Sequence, residues 1–273
     1  YLALRPTVAP VIERMSRSMP FSKDLGEVPA ADVVAAGRDL LARTPLSRAD
    51  LGKALAEQFR TVPAESLGYV ATVTEELVQV PPRGVWRASG QAVFTPAATW
   101  LGVAPGRPMP VDDLLLRYLA AYGPATVADA QLWSGLTGLR EVADRLRPRL
   151  EVLVDAGGRE LLDLPDAPRP DDDVPAPVRY VPEYDNLLLS HADRSRVIAD
   201  DDRPRVFVRG AVLVDGSVAG AWKVVRRPSA ATVALEPFRA LTATERADVE
   251  HEAAALLDFM APGDQHALEL VAT

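Results

Sequence analysis

A chain of 273 residues with 48% hydrophobic composition can bury a substantial core as one large domain or two to three small ones, and its lack of cysteine excludes disulfides, thiolate nucleophiles and Cys-based zinc sites. Its apolar stretches, such as YLAAY and AAALLDFM, fall far short of the ~20 residues a membrane span takes. With no charged-then-apolar leader at residues 1–30, the expected location is the cytoplasm. The net charge of −8 argues against a wholly basic nucleic-acid binder, so any binding face must be local.

In chain order, the first clear signal is PLSRADL at residues 45–51, where Ser47 and Asp50 make an N-terminal helix cap. A further helix is predicted over AESLGYVATVTEE, with strands at LVQVP and VWRAS around the turn PPRG. DDLLLRYLAAYG then has Leu and Tyr at helical spacing and is stopped by Gly123 and Pro124. Thr126 and Asp129 cap a short helix ending near Gly135, and Thr137 is placed to cap the next. That next helix has Leu139, Val142, Leu146 and Leu150 on one face, Arg140, Arg145, Arg147 and Arg149 elsewhere, and Pro148 to end or tighten it. LEVLVDAGGRELLDL reads as a hairpin turning at residues 155–158.

Three short helices followed by a hairpin is the winged-helix pattern, in which the third helix can enter the major groove. It occurs twice: PLSRADL aligns with PATVADA, and Arg38 and Leu40 with Arg117 and Leu119, all 79 residues apart. After the linker DAPRPDDDVPAP, the segments VRYV, PRVFVRGAVLVDG and SVAGAWKVV are predicted strands with a hairpin turn at Asp215-Gly216. TATERADVEHEAAALLDFM is a helix capped by Thr242 and Glu245, and HALELVA a final strand. The expected fold is α+β: tandem winged helices at 31–105 and 111–165, then a small β-barrel-like domain with a C-terminal helix at 174–273.

LVQVPPRGVWRASGQAVF, RYLAAYGPATVADAQLWSGLTGLREVADRLRPRL, GRELLDLPDAP and VPEYDNLLLSHADRSRVI resemble the winged-helix family that includes the AlkZ-type and YcaQ-type DNA glycosylases. The resemblance runs over nearly the whole chain. It implies tandem winged helices followed by a β-barrel, and excision of alkylated bases or unhooking of interstrand crosslinks in double-stranded DNA. It also implies that YLALRP at the start is an internal segment, that residues 1–30 are the remnant of a further winged helix and its connection, and that a Gln-x-Gln motif assigned to catalysis lies upstream. Here Gln58, Gln79, Gln91, Gln131 and Gln265 are scattered singly, so no catalytic residue carries over.

Arg140, Arg145, Arg147 and Arg149, with Arg48 in the first repeat, are the candidate DNA contacts, because arginine's fork matches phosphates and base edges. The segment EYDNLLLSHADR gathers Asp185, His191, Asp193 and Arg194 into a cluster that either faces a lesion or holds the sheet to the last winged helix by a buried Asp-Arg bridge. Three histidines far apart, with no His-Glu-x-x-His, give no metal site, and no cofactor is expected. Trp86, Trp100, Trp133 and Trp222 read most simply as packing residues, though an exposed one can stack on an extruded base. Arginine far outnumbers lysine, which looks like high-GC bacterial usage. The alternatives to a repair-glycosylase relative are a non-catalytic DNA-binding or regulatory protein on the same scaffold, and a dimerising scaffold with no nucleic-acid role.

Overall fold

A computed structural model describes residues 1–104, 107–171, 173–206 and 208–271. The chain is mixed α+β and divides into two compact units, residues 1–117 with 134–142, and residues 118–133 with 143–273. Among the described residues, no helix is long and apolar enough to cross a membrane.

In the first unit, α1 (Leu4–Thr7), α2 (Ala9–Ser18) and α3 (Pro20–Lys23) precede α4 (Ala30–Arg43), a two-residue strand β1 (Leu46–Ser47), α5 (Arg48–Ala56) and α6 (Ala64–Thr74). Strands β2 (Leu77–Gln79) and β3 (Val93–Pro96) follow, then α7 (Ala97–Leu101). Val33 and Leu41 of α4, Leu51 and Leu55 of α5, and Leu67 and Val70 of α6 form one buried core. Helices α5 and α6 touch backbone to backbone: a Cβ on Gly52 would collide with the Ala64 carbonyl, and one on Gly68 with the Arg48 carbonyl. The buried Arg5 donates to the Thr74 carbonyl at 2.6 Å, satisfying the open end of α6.

The strands differ from expectation. VWRAS is not a strand; β2 pairs with β3, Leu77 opposite Pro96 and Gln79 opposite Phe94, and β1 adds on the other side of β3 in the order β1-β3-β2. Residues 81–91 form an exposed loop. The alternation in VWRAS has no core to face, and Pro81 and Pro82 remove two ladder donors where pairing would begin.

The boundary between the units falls within α8 (Val111–Tyr122), α9 (Val127–Ser134) and α10 (Leu139–Leu146). Helix α10 begins directly after Gly138, whose φ is 76°, so Thr137 stands one position outside the expected cap. A 3-10 turn at Arg147–Arg149 contains Pro148 and leads into the hairpin β4 (Glu151–Val154) and β5 (Glu160–Asp163). The order helix, bridge, helix, helix, hairpin therefore occurs twice. Leu46 pairs with Phe94 in the first stretch, and Ala125, 79 residues after Leu46, bridges Leu162 in the second. The caps match as well: the Asp50 amide donates to Ser47 Oγ, and the Asp129 amide to Thr126 Oγ1, each at 3.1 Å.

The rest of the second unit is a five-stranded sheet in the order β10-β9-β8-β7-β6. Its members are β6 (Arg179–Val181), β7 (Gly210–Val214), β8 (Ser217–Arg227), β9 (Ala230–Pro237) and β10 (Gln265–Leu270), with α11 (Asn186–Leu189), α12 (Arg203–Val206) and α13 (Ala243–Met260) between them. Among the described residues β6 and β10 are open edges, so the pairing gives an open sheet instead of the expected barrel-like closure. The faces explain this. Val249, Ala253 and Leu257 of α13 cover one side, over Val212, Val233 and Leu235, while Leu188, Ile198 and Val206 cover Ala211 and Ala221 on the other. A sheet whose two faces are covered by other elements forms its core without closing.

The expected strand over 204–216 is divided: Pro204 sits in the first turn of α12, where its missing N–H costs nothing, and the strand begins at Gly210. Phe207, within that predicted strand, and Ala272, in the predicted last one, lie outside the described residues, as do positions 105 and 273 of the expected domain limits. Strand β9 was not expected at all. The Asp215-Gly216 turn forms with both residues at positive φ, and Thr242 and Glu245 make a reciprocal capping box on α13.

Candidate nucleic-acid interface

Helix α10 turns Leu139, Val142, Ala143 and Leu146 inward, each 7% exposed or less. Arg140, Arg145, Arg147 and Arg149 are all exposed, as the periodicity requires. They are not equivalent. The Arg147 guanidinium grips Glu160 of β5 with both carboxylate oxygens, at 3.1 and 2.6 Å, which raises its pKa and fastens the 3-10 turn to the hairpin. Arg48 opens α5, donates to Thr72 Oγ1 at 2.9 Å, and lies 5.0 Å from the Tyr69 ring and 5.7 Å from the Phe94 ring. Its guanidinium is thus engaged within the first helical stretch.

The cluster at 185–194 is mostly a set of backbone fasteners. Asp185 caps α11 by accepting the Leu187 amide at 2.9 Å. His191 places Nδ1 2.9 Å from Ser190 Oγ and Nε2 3.1 Å from the Tyr122 carbonyl, which requires Nε2 to carry the proton. The buried Tyr118 donates to the Ser190 carbonyl at 2.8 Å, with Trp133 and Tyr122 ring centroids 5.2 and 5.5 Å from its own. Burial, with Asp129 nearby, raises the Tyr118 phenol above its ordinary range.

The expected Asp193–Arg194 bridge does not form. Asp193 accepts the Ser195 hydroxyl at 2.6 Å and Arg159 at 3.2 Å, and the Ser195 hydroxyl and amide hold its carboxyl down at about 2. Adjacent residues on a turn diverge. Arg194 donates Nε to the His191 carbonyl at 3.1 Å and extends into a separate cavity.

Two features escaped sequence reasoning. Residues 80–92 contain Arg83 and Arg87 and no acidic residue, and Val85 and Trp86 are 50% and 58% exposed, an apolar and cationic tip on an acidic chain. Two prolines and Gly84 in a run without acids were the available signal. Trp100 is also exposed, while Trp133 and Trp222 have the expected packing role. The second feature is Asp163, fully buried, whose Oδ2 meets Arg169 Nε at 3.0 Å while Arg169 also reaches Glu151 at 2.8 Å. Arg169 belongs to the stretch read as a linker. Among the described residues, no group of three His, Asp or Glu is placed to hold a metal ion.

Comparison with known proteins adds a name to this geometry. Residues 1–259 match the family described as DNA glycosylase AlkZ-like. The fold is similar to that of the Streptomyces sahachiroi DNA glycosylase AlkZ, with a TM-score of 0.68 and 21% identity over 99% of this chain and 76% of that one. No curated protein matches.

Proposed function

Because the chain belongs to the AlkZ-like DNA glycosylase family, we propose that it binds double-stranded DNA carrying alkylated or similar damage, in the cytoplasm of a bacterium. Its scaffold in this reading is two tandem winged helices, about 31–105 and 111–165, followed by the α+β unit at 174–273. The observation that carries it is the doubled order of helix, bridge, helix, helix and hairpin, with matching caps at Ser47 and Thr126. The proposed DNA contacts are the exposed arginines of α10 and the turn after it, Arg140, Arg145, Arg147 and Arg149, and, taken separately, the Arg83–Arg87 loop of the first hairpin. Exposed arginine on a chain of net charge −8 marks a local face, and phosphate neutralisation dominates affinity for duplex DNA.

The chemistry belonging to this reading is hydrolysis of an N-glycosidic bond by water without a cofactor. In this reading these 273 residues supply DNA positioning, and their glutamines, scattered singly, make no Gln-x-Gln motif. The scattered glutamines favour one second reading, a non-catalytic DNA-binding regulator on the same scaffold. Anisotropy titrations of the purified chain with duplexes of ~25 base pairs over a salt series test both. Repair predicts steep salt dependence and tighter binding to an alkylated duplex than to its intact twin. Regulation predicts a preferred sequence and indifference to damage, and no salt-dependent binding sinks both.

A further inference from the structure

The second unit contains a cavity of about 50 Å³ floored by Leu188, Ile198 and Val206 and rimmed by Tyr184, Arg194 and Arg203. One water takes roughly 10–15 Å³ on this measure, so the space suits a few waters or one tetrahedral oxyanion. Two arginines line one largely apolar cavity. Among the described residues Arg194 has no carboxylate partner, and its hydrogen bond goes to the His191 carbonyl. Arg203 pairs through Nη2 with Asp200 at 3.0 Å, but Asp200 is 80% exposed and screened by solvent. Among the described residues the buried Arg203 Nε has no hydrogen-bond partner. An orphaned donor, two like charges and a desolvating floor are each unfavourable. Burial, and then the charge of Arg203, depress the pKa of Arg194. A bound oxyanion relieves all three at once, through charge-assisted hydrogen bonds strengthened by the low local dielectric.

We propose that the Arg194–Arg203 cavity is a binding site for a single phosphate oxyanion, presented by a DNA backbone or free in solution. Only the DNA source rests on the proposed function. The first arm is thermal unfolding of the full chain in inorganic phosphate, with sodium chloride at matched ionic strength. Above half-saturation, Tm should rise about 3 °C for each tenfold increase in phosphate. Phosphate strengthens burial in any protein, so the reference is the variants Arg194→Gln and Arg203→Gln, which should lose most of that rise. Both should fold, since each removes one of two repelling cations; Arg203→Lys, which keeps the charge and drops the buried Nε, is the reserve and should lose part of the rise.

The second arm is binding to duplex DNA. If backbone phosphate fills the site, Arg203→Gln flattens the slope of log affinity against log salt by about one unit. A specific Tm rise with an unchanged DNA slope assigns the site to free phosphate. A specific rise in a protein that does not bind DNA keeps the site and removes only the proposed function. An equal phosphate effect in wild type and variants, with an unchanged DNA slope, overturns the site and leaves that function standing.

Discussion

Asp129 Oδ1 accepts the backbone N–H of Ala192 at 2.8 Å, while Oδ2 accepts the Thr126 amide at 2.8 Å and the Thr126 hydroxyl at 2.7 Å. One carboxylate therefore caps α9 and holds the 190–194 turn. Burial alone would raise this carboxyl, but the Thr126 hydroxyl and the Ala192 and Thr126 amides together hold it below its ordinary value. A depressed folded-state value means stability that is present above the unfolded value near ~3.9 and lost as pH falls through the folded one. Asp129→Asn keeps one acceptor and turns a donor toward an N–H, and should cost about 2 kcal/mol at pH 7. Denaturant titrations should show that penalty shrinking toward pH 2, and a penalty independent of pH would contradict the ionised carboxylate as the fastener. Asp50→Asn, at the matching but exposed cap, should leave Tm unchanged.

Asp163 is a second long-range fastener. A Cβ at Gly123 would run into Asp163 Oδ1 and the Leu119 carbonyl, so the α8 terminus and β5 meet only because residue 123 has no side chain. Gly123→Ala should destabilise by about 2 kcal/mol through overpacking. Arg169→Met, which leaves the buried Asp163 without its cation, should lower Tm, though by less than for a fully buried pair because Arg169 is 34% exposed. Wild-type stability in the methionine variant would return Arg169 to a linker role.

The arginines around α10 should separate by their partners. Arg149→Ala should weaken duplex binding almost equally across sequences and flatten the log-log salt slope by about one unit. Arg147→Ala should change the slope less, because its guanidinium already faces Glu160. Equal effects of the two would mean that the Glu160 pair opens when DNA arrives.

The loop at 80–92 should matter to DNA. Val85 and Trp86 are 50% and 58% exposed, and the variant with both replaced by Ser is read for Tm and affinity together, so that a contact within the loop is separated from one to DNA. Affinity for duplex should fall about tenfold if the indole packs against a base or sugar, the range found for stacking of a single aromatic. Unchanged affinity would confine DNA contact to α10 and the turn that follows it.

Incubated with alkylated duplex, the purified 273-residue chain should release no base, since it contains no Gln-x-Gln. Excision that disappears on changing a residue of this chain would place an active site here, with the 185–194 cluster the first segment to examine.

Short-range chemistry in this protein was legible from the residues alone. Ser47, Thr126 and Thr242 each act on an amide three positions away, and Asp215-Gly216 turns a hairpin within itself, so the signal and its effect occupy the same few residues. The buried stripe of α10 was legible for the same reason. Tertiary structure alone decided which apolar runs find a partner strand. The alternating Val85–Ser89 remains an exposed loop because β3 takes the place between β1 and β2, while Ala230–Pro237 becomes a central strand because β8 and β10 flank it. It also decided the charge pattern of the candidate site. Arg147 is neutralised by a residue 13 positions on and Asp193 by one 34 positions back, whereas Arg194 shares a cavity with another arginine. A charge's effect depends on what lies within a few ångströms of it, and folding sets that distance independently of separation along the chain.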